Sequence, residues 1–381
     1  MSIFHRTELA HEYALRLLDP PPTSSVRSGL FLAAPRRTGK TTFLRRDLVP
    51  ALENGGALVL YVDLWQERDA DPGEVITTAV AAALEKRDGA IRRLARRVAT
   101  LEEVSVGSVS IALGAAEQGT AGVSLTDALE ALSADADRVI VLIVDEAQHA
   151  ITSKRGINAL FGLKAARDAL NLGEGRGLRI VATGSNRDKL AMLRNSKDQA
   201  FFLAPLVDFP SLGEDYVRWF IEQLPFADEL DVADTFAGFV SAGHRPEILT
   251  AATDAVLYGG DAGAEPAAVR LARAVEREIA AADQHLLQPV LALTPLQSSV
   301  LREVAASGTR FAPFEQATME RYATTLARLS TRSSLVPSTT NVQGALVALK
   351  EQGLVWQAAR GVYALEETRL AELMRAAGML G

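Results

Sequence analysis

Apolar and polar positions along the chain fall into two regimes. In the first half, short runs that are apolar at nearly every position recur at 29–34, 57–63, 139–144 and 178–183, with a shorter one at 200–203. Continuous rather than alternating hydrophobicity suits parallel strands covered on both faces. Between the runs lie stretches of helical periodicity, for example 72–85 and 156–170. This alternation predicts an α/β domain around a mostly parallel sheet.

After Pro210 the strand runs stop. Residues 211–214 open a helix carrying Tyr216, Val217, Phe220 and Ile221 at helical spacing. Helical stretches follow at 232–241 and 246–257, and a Gly/Ala-rich turn at 259–263 leads into a helix from Pro266 to about Asp283. The last segment differs again. Thr294-Pro295 is a helix start, with a threonine N-cap and a proline in the first turn. Residues 315–329 and 338–351 read as two more helices, the latter with Val342, Leu346 and Leu349 on one face and a stop at Gly353. Two short strands, 354–356 and 361–365, follow. Three helices and a hairpin form a winged-helix pattern. The expected division is 1–207, 208–290 and 291–381.

Composition narrows the class. The 381 residues are 48% hydrophobic and 23% charged, which excludes a disordered chain. No apolar run approaches the roughly 18 residues of a membrane span. Residues 1–6 lack the apolar core of a signal peptide, so a cytoplasmic protein is expected. Cysteine is absent, which excludes disulfides and thiolate metal sites, and the five histidines sit at no metal-ligand spacing. The net charge of −7 argues against a protein that coats nucleic acid. It is unevenly spread, however: residues 291–381 hold nine basic side chains against seven glutamates and no aspartate.

The strongest chemical signal follows the first apolar run, at Ala34-Pro35-Arg36-Arg37-Thr38-Gly39-Lys40-Thr41-Thr42. It matches the phosphate-binding loop G-x-x-x-x-G-K-[ST], with Ala34 in place of the first glycine. Backbone N–H groups of 35–42 and the next helix's N-terminus would point at phosphate oxygens. Lys40 would reach the β- and γ-phosphates, Thr41 would hold Mg²⁺, and Gly39 permits close backbone approach. Alanine avoids positive φ, so the geometry at the start of the loop turns on Ala34. Arg36 and Arg37 add positive charge, directed at phosphate, a neighbour or solvent.

A second signal supports the first. The run 139–144 ends in Asp145-Glu146-Ala147-Gln148, a Walker B pattern. Asp145 would support Mg²⁺ and Glu146 would orient and polarise an attacking water. The added glutamate favours hydrolysis over kinase chemistry, because a kinase excludes water as the nucleophile. Two weaker signals follow. The fourth run ends in Thr183-Gly184-Ser185-Asn186, where Thr183, Ser185 or Asn186 is a candidate to contact the γ-phosphate or its water, against ordinary turn chemistry. Gly243-His244-Arg245-Pro246 places Arg245 before a helix start, either as a phosphate-sensing arginine or as part of a plain capping turn.

Together these residues resemble the AAA+ ATPases, nearest the branch holding origin-recognition ATPases, archaeal-type ATPases and STAND signalling ATPases. The resemblance rests on 34–42, 141–148, 180–185, 243–246 and 345–365, and so spans nearly the whole chain. It implies a P-loop core with a parallel sheet, a helical lid and a C-terminal winged helix, and an ATP-hydrolysing switch that uses ATP and Mg²⁺. Phe4-His5-Arg6-Thr7-Glu8 looks like the branch's N-terminal segment beside the adenine. An arginine finger would fall on Arg194 or Lys197, without the family's usual Gly-Arg pair, and homo-oligomers are compatible with the family.

The winged helix makes double-stranded DNA a candidate partner, in replication, transposition or mobile-element defence. Its third helix opens with Ser338, Thr339, Thr340 and Asn341, which can reach phosphates or bases. Lys350 is its sole basic residue, and Arg332 and Arg360 flank it. Arg92, Arg93, Arg96 and Arg97 offer a phosphate-binding stripe or a solvated face paired to Glu102 and Glu103. The alternative is a STAND-like signalling or scaffold ATPase whose winged helix contacts an unknown protein. A third reading is a nucleotide-binding protein with degenerate catalysis.

Overall fold

A computed structural model describes residues 2–67, 69–98, 110–111, 123–172, 176–195, 199–259, 265–308, 311–329, 336–359 and 361–380. The chain divides into two units, Met1–Trp219 and Phe220–Gly381. Among the described residues no helix is long and apolar enough to cross a membrane.

The first unit opens with α1 (Thr7–Leu18) and β1 (Leu30–Ala33). The helix α2 (Lys40–Phe43) runs through a π-helical turn, Leu44–Leu48, into α3 (Val49–Asn54). Next come β2 (Leu58–Asp63), α4 (Pro72–Glu85), α5 (Asp88–Val98), the short pair β3 (Ser110–Ile111) and β4 (Val123–Ser124), and α6 (Leu125–Ala136). The unit continues with β5 (Ile140–Asp145), α7 (Lys154–Leu172), β6 (Leu178–Gly184), α8 (Arg187–Ala191), β7 (Leu206–Asp208) and α9 (Glu214–Ile221).

Five of these strands form one sheet in the order β2-β5-β6-β1-β7, every pair parallel. Strand burial explains the continuous apolar runs. Phe31, Ile140, Leu142, Val144 and Ile180 join a core with α4, α6 and α7 on one face. Leu30, Leu32, Val141, Ile143 and Val181 join a second core with α1, α2 and α3 on the other. With both faces covered, the central strands are apolar except where a buried polar side chain finds partners, as Arg179 does on Leu17 O at 3.0 Å.

One expected strand is displaced. The run 200–203 is a turn, and the fifth strand is Leu206–Asp208. Ala200 and Phe201 are apolar because they fill the core, the Phe201 ring lying 5.6 Å from that of Phe31. Leu203 is left-handed at φ 62, which breaks an extended run. The true edge strand exposes Val207 and Asp208, so it carries little hydrophobic signal.

The second unit continues with α10 (Val232–Ser241), α11 (Pro246–Tyr258) and α12 (Ala267–Leu291). The last of these outruns its expected end near Asp283 and carries Pro289 inside its final turns. Then follow α13 (Pro295–Ser307), α14 (Gln316–Leu329), α15 (Thr339–Glu351), the antiparallel pair β8 (Val355–Ala359) and β9 (Val362–Leu365), and α16 (Arg369–Ala376). Thr294 and Ser338 close capping boxes on α13 and α15. Val300, Leu301, Val304, Tyr322, Val342, Leu346, Leu349, Tyr363 and Met374 share one core. Glu102, Glu103, Lys197, Arg332 and Arg360 lie outside the described residues.

Candidate active site

The sheet order sets the geometry. Strand β6 lies between β1 and β5, so the loop after β1, the carboxylates ending β5 and the hydroxyls ending β6 meet at one edge. Leu32 is in register with Thr183, and Val144 with Ala182.

The loop at 34–39 turns tightly. Thr38 is buried and its hydroxyl donates to Pro35 O at 2.8 Å. Arg37 is left-handed at φ 64, and so is Gly39 at φ 84, where it caps α2. Ala34 has no positive φ; its N–H donates to Gly184 O at 3.1 Å, which continues the β1–β6 ladder. The alanine therefore fits this loop without strain. Pro35, Arg36, Arg37, Thr41 and Thr42 are exposed, while Lys40 is buried at 5% exposure.

Lys40 is the hub. Its Nζ donates to Asp145 Oδ1 and Glu146 Oε1, both at 2.8 Å, and to Thr183 Oγ1 at 3.2 Å. Asp145 also accepts from the hydroxyls of Thr41 and Tyr61, each at 2.8 Å on Oδ2, and from the Thr183 hydroxyl on Oδ1. Glu146 is left-handed at φ 54. Its Oε2 accepts from Gln148 Nε2 at 2.5 Å, Ser185 Oγ at 2.8 Å and Ser185 N at 3.3 Å. Asn186, by contrast, caps α8 by accepting from Lys189 N at 3.0 Å.

Electrostatics follow from this packing. Burial pushes the Asp145 carboxyl up, but the Lys40 charge and hydrogen bonds from Lys40, Thr183 and Thr41 outweigh it and bring the pKa down to about 2. Burial likewise pushes Glu146 up, while Lys40, Gln148 and Ser185 hold it below the ordinary carboxylate value. Burial and then the neighbouring Asp145 charge push the Tyr61 hydroxyl up, which keeps it a donor.

A carboxylate depressed in the folded chain adds stability above its unfolded pKa near 3.9, and that contribution is lost as pH falls toward the folded value. The nucleotide-free protein is therefore expected to lose stability as pH falls from about 4 to about 2. Asp145→Asn should remove roughly 2 kcal/mol of that decline. Urea midpoints measured across this pH range check it, and identical slopes in both proteins would show that the pair does not form in solution.

The donor set fits a nucleoside triphosphate with magnesium. Thr41 Oγ1 and Asp145 Oδ2 are hard oxygens 2.8 Å apart. Among the described residues no group of three or more acidic or histidine side chains could hold a metal. Magnesium here would rely on these two oxygens, water and phosphate, which is its usual habit.

Three further residues act at this edge without a role assigned by the motifs: Tyr61, Gln148 and Trp65. Tyr61 was legible as the one polar aromatic in an apolar run. Gln148 closes the Walker B segment, but its hold on Glu146 needs the left-handed turn between them. Trp65, in the turn after β2, stacks 4.9 Å from the Arg36 guanidinium and 4.4 Å from the His149 ring. Arg245 is in the second unit, where its Nε donates to Ala242 O at 2.6 Å before α11. Arg194 follows α8, and its carbonyl accepts from Leu203 N at 3.4 Å. Arg6, in the N-terminal segment, donates from Nη1 to Pro210 O at 2.7 Å, and its guanidinium lies 4.9 Å from the Phe209 ring.

No family model matches the chain, and no curated protein sequence matches it. Solved structures do. The Walker-type ATPase of Pyrococcus abyssi is 16% identical, with 98% of this chain and 96% of that chain covered, at a TM-score of 0.51. The ORC2 protein of Aeropyrum pernix, in its ADP form, is 16% identical, with 100% of this chain and 96% of that chain covered, at a TM-score of 0.55. Such identities speak to architecture alone, and what they share with this chain is its fold, an α/β domain on a parallel five-stranded sheet followed by a mostly helical remainder.

Proposed function

We propose that the chain is an ATP-hydrolysing molecular switch. The observation that carries this reading is the convergence of Lys40, Thr41, Asp145 and Glu146 at one sheet edge. That the ORC2 structure is an ADP form supports an adenine nucleotide as the ligand of this chain as well. Phosphate oxygens would take the Lys40 ammonium from the two carboxylates, and the backbone of 35–42 would cradle them. Thr41 and Asp145 would hold magnesium, which when bound supplies charge neutralisation on the phosphates. Glu146, ionised at neutral pH, would then accept a hydrogen bond from the attacking water and align it with the γ-phosphorus. Thr183 and Ser185 position the two carboxylates. Arg245 would report the γ-phosphate from the helical lid, 208–290.

In this reading the lid moves a C-terminal winged helix at 291–381. Duplex DNA is the partner we favour, through the exposed Thr339 and Thr340 at the start of α15 and through Lys350. A protein partner is the second reading, favoured by the exposed and nearly neutral Gln343, Gly344 and Val347 on the same helix. Phosphate release with and without duplex DNA, beside a gel shift at increasing salt, tests both. A shift that weakens steeply with salt is the expected result for DNA. No shift at low salt with ATP present removes DNA and leaves the protein partner. No phosphate release in any condition removes hydrolysis.

A further inference from the structure

Glu146 is held by more than its immediate neighbours. The Ser185 hydroxyl has one proton to give and two lone pairs to offer. Arg36 Nε donates to that oxygen at 3.3 Å. With a cation on its lone pair, the hydroxyl directs its proton to Glu146 Oε2 at 2.8 Å. Arg36 is an exposed, long and flexible side chain on the phosphate loop, and alone it would sample many rotamers. Trp65 restricts it. The indole is half-buried, its backbone N–H donates to Asp63 Oδ1 at 3.0 Å, and its ring packs against His149. The Arg36 guanidinium lies 4.9 Å from the ring centroid, within range of a cation–π contact.

We propose that Trp65 is a positioning residue for hydrolysis: it seats Arg36, Arg36 orients Ser185, and Ser185 aligns Glu146. This rests on the ATPase reading above. The chain links four separate loops, those after β1, β2, β5 and β6, through side chains alone. Its purpose is clearest with triphosphate present. A cation in the phosphate loop is drawn toward phosphate oxygens, and an Arg36 so drawn releases Ser185. The indole opposes that pull and keeps the water-aligning carboxylate in place at the moment of reaction. Trp65 touches no reacting atom, so it governs turnover and not nucleotide affinity.

The test compares Trp65→Leu, which keeps apolar bulk, with Trp65→Phe, which keeps a ring. Both are checked for folding by circular dichroism. Trp65→Leu should lower kcat about tenfold with KM for ATP within about twofold, and Trp65→Phe should recover most of the loss. Ser185→Ala should reproduce the fall in kcat. The double variant Trp65→Leu/Ser185→Ala should be no slower than Ser185→Ala, because both act along one path. Unchanged kcat in Trp65→Leu, equal loss in the Phe and Leu variants, or multiplying losses in the double variant would each overturn the proposal while leaving ATP hydrolysis intact. A wild-type chain that releases no phosphate above the Glu146→Gln background would instead overturn the ATPase reading, and this proposal with it.

Discussion

Lys40→Ala is expected to abolish ATP binding and to weaken the nucleotide-free fold in the same stroke. The ammonium is buried between two carboxylates that are themselves 1% and 15% exposed. Removing it takes away the charge that would meet the β- and γ-phosphates. It also leaves Asp145 and Glu146 buried together without a cation, and breaking a buried pair in this way costs about 3–5 kcal/mol. Burial then dominates, and the Asp145 pKa should rise from its depressed value. The two effects separate in a double variant. Lys40→Ala/Asp145→Asn removes one of the stranded charges and should regain part of the stability while ATP binding stays lost. Urea denaturation and calorimetric titration with ATP read the two quantities. Wild-type affinity in Lys40→Ala would show that phosphate is held elsewhere.

Glu146→Gln should keep ATP and lose turnover by about 100-fold or more, the usual worth of a group that handles the proton of the attacking water. The amide has nearly the carboxylate's shape but only one acceptor oxygen. Glu146 now accepts from Lys40 on one oxygen and from Gln148 and Ser185 on the other. A glutamine must set its NH₂ against one of these donors, so local order is lost as well as charge. With triphosphate bound, Lys40 has phosphate oxygens to meet and the amide oxygen can turn toward Ser185. ATP binding is therefore expected to survive better than apo stability. Rapid-quench measurement of bound ATP beside steady-state phosphate release distinguishes the two. Full hydrolysis by the variant would remove Glu146 from its assigned role.

The parts of this site that could be read from sequence are those whose chemistry forces residues to be contiguous. Gly39, Lys40 and Thr41 must adjoin because one helix N-terminus, one ammonium and one hydroxyl serve the same phosphates. Asp145 and Glu146 were legible because they close a buried apolar strand and pair with the loop at 34–42. Thr183 and Ser185 could be named only as alternatives to Asn186. What separates them is position: Thr183 lies within the β6 ladder, one residue before its end at Gly184, whereas Asn186 is needed as a helix cap. Tyr61 lies 84 positions from Asp145, which its hydroxyl meets, and Trp65 lies in a different loop from the Arg36 it stacks on; no local pattern encodes such contacts between loops. The displaced fifth strand fails for the opposite reason. Phe201 is apolar for the core's sake and not for a strand's, and an edge strand with one exposed valine and one exposed aspartate has too little hydrophobicity to announce itself.

Ala34 carries a consequence beyond this site. Its backbone sits where any L-residue can sit, so the methyl group costs nothing in the folded chain. In the unfolded chain the same methyl forbids conformations that a glycine would sample. The exchange lowers the disorder that folding must remove and is worth about 0.4–1 kcal/mol where the native backbone tolerates it. The first glycine of the loop pattern and the second thus answer to different pressures. At Gly39 the left-handed backbone, φ 84, makes any side chain a strained one, so replacement there carries a cost that position 34 does not. At position 34 a lineage can drift between glycine and alanine, and drift toward alanine makes the chain harder to unfold while leaving the phosphate cradle's shape untouched.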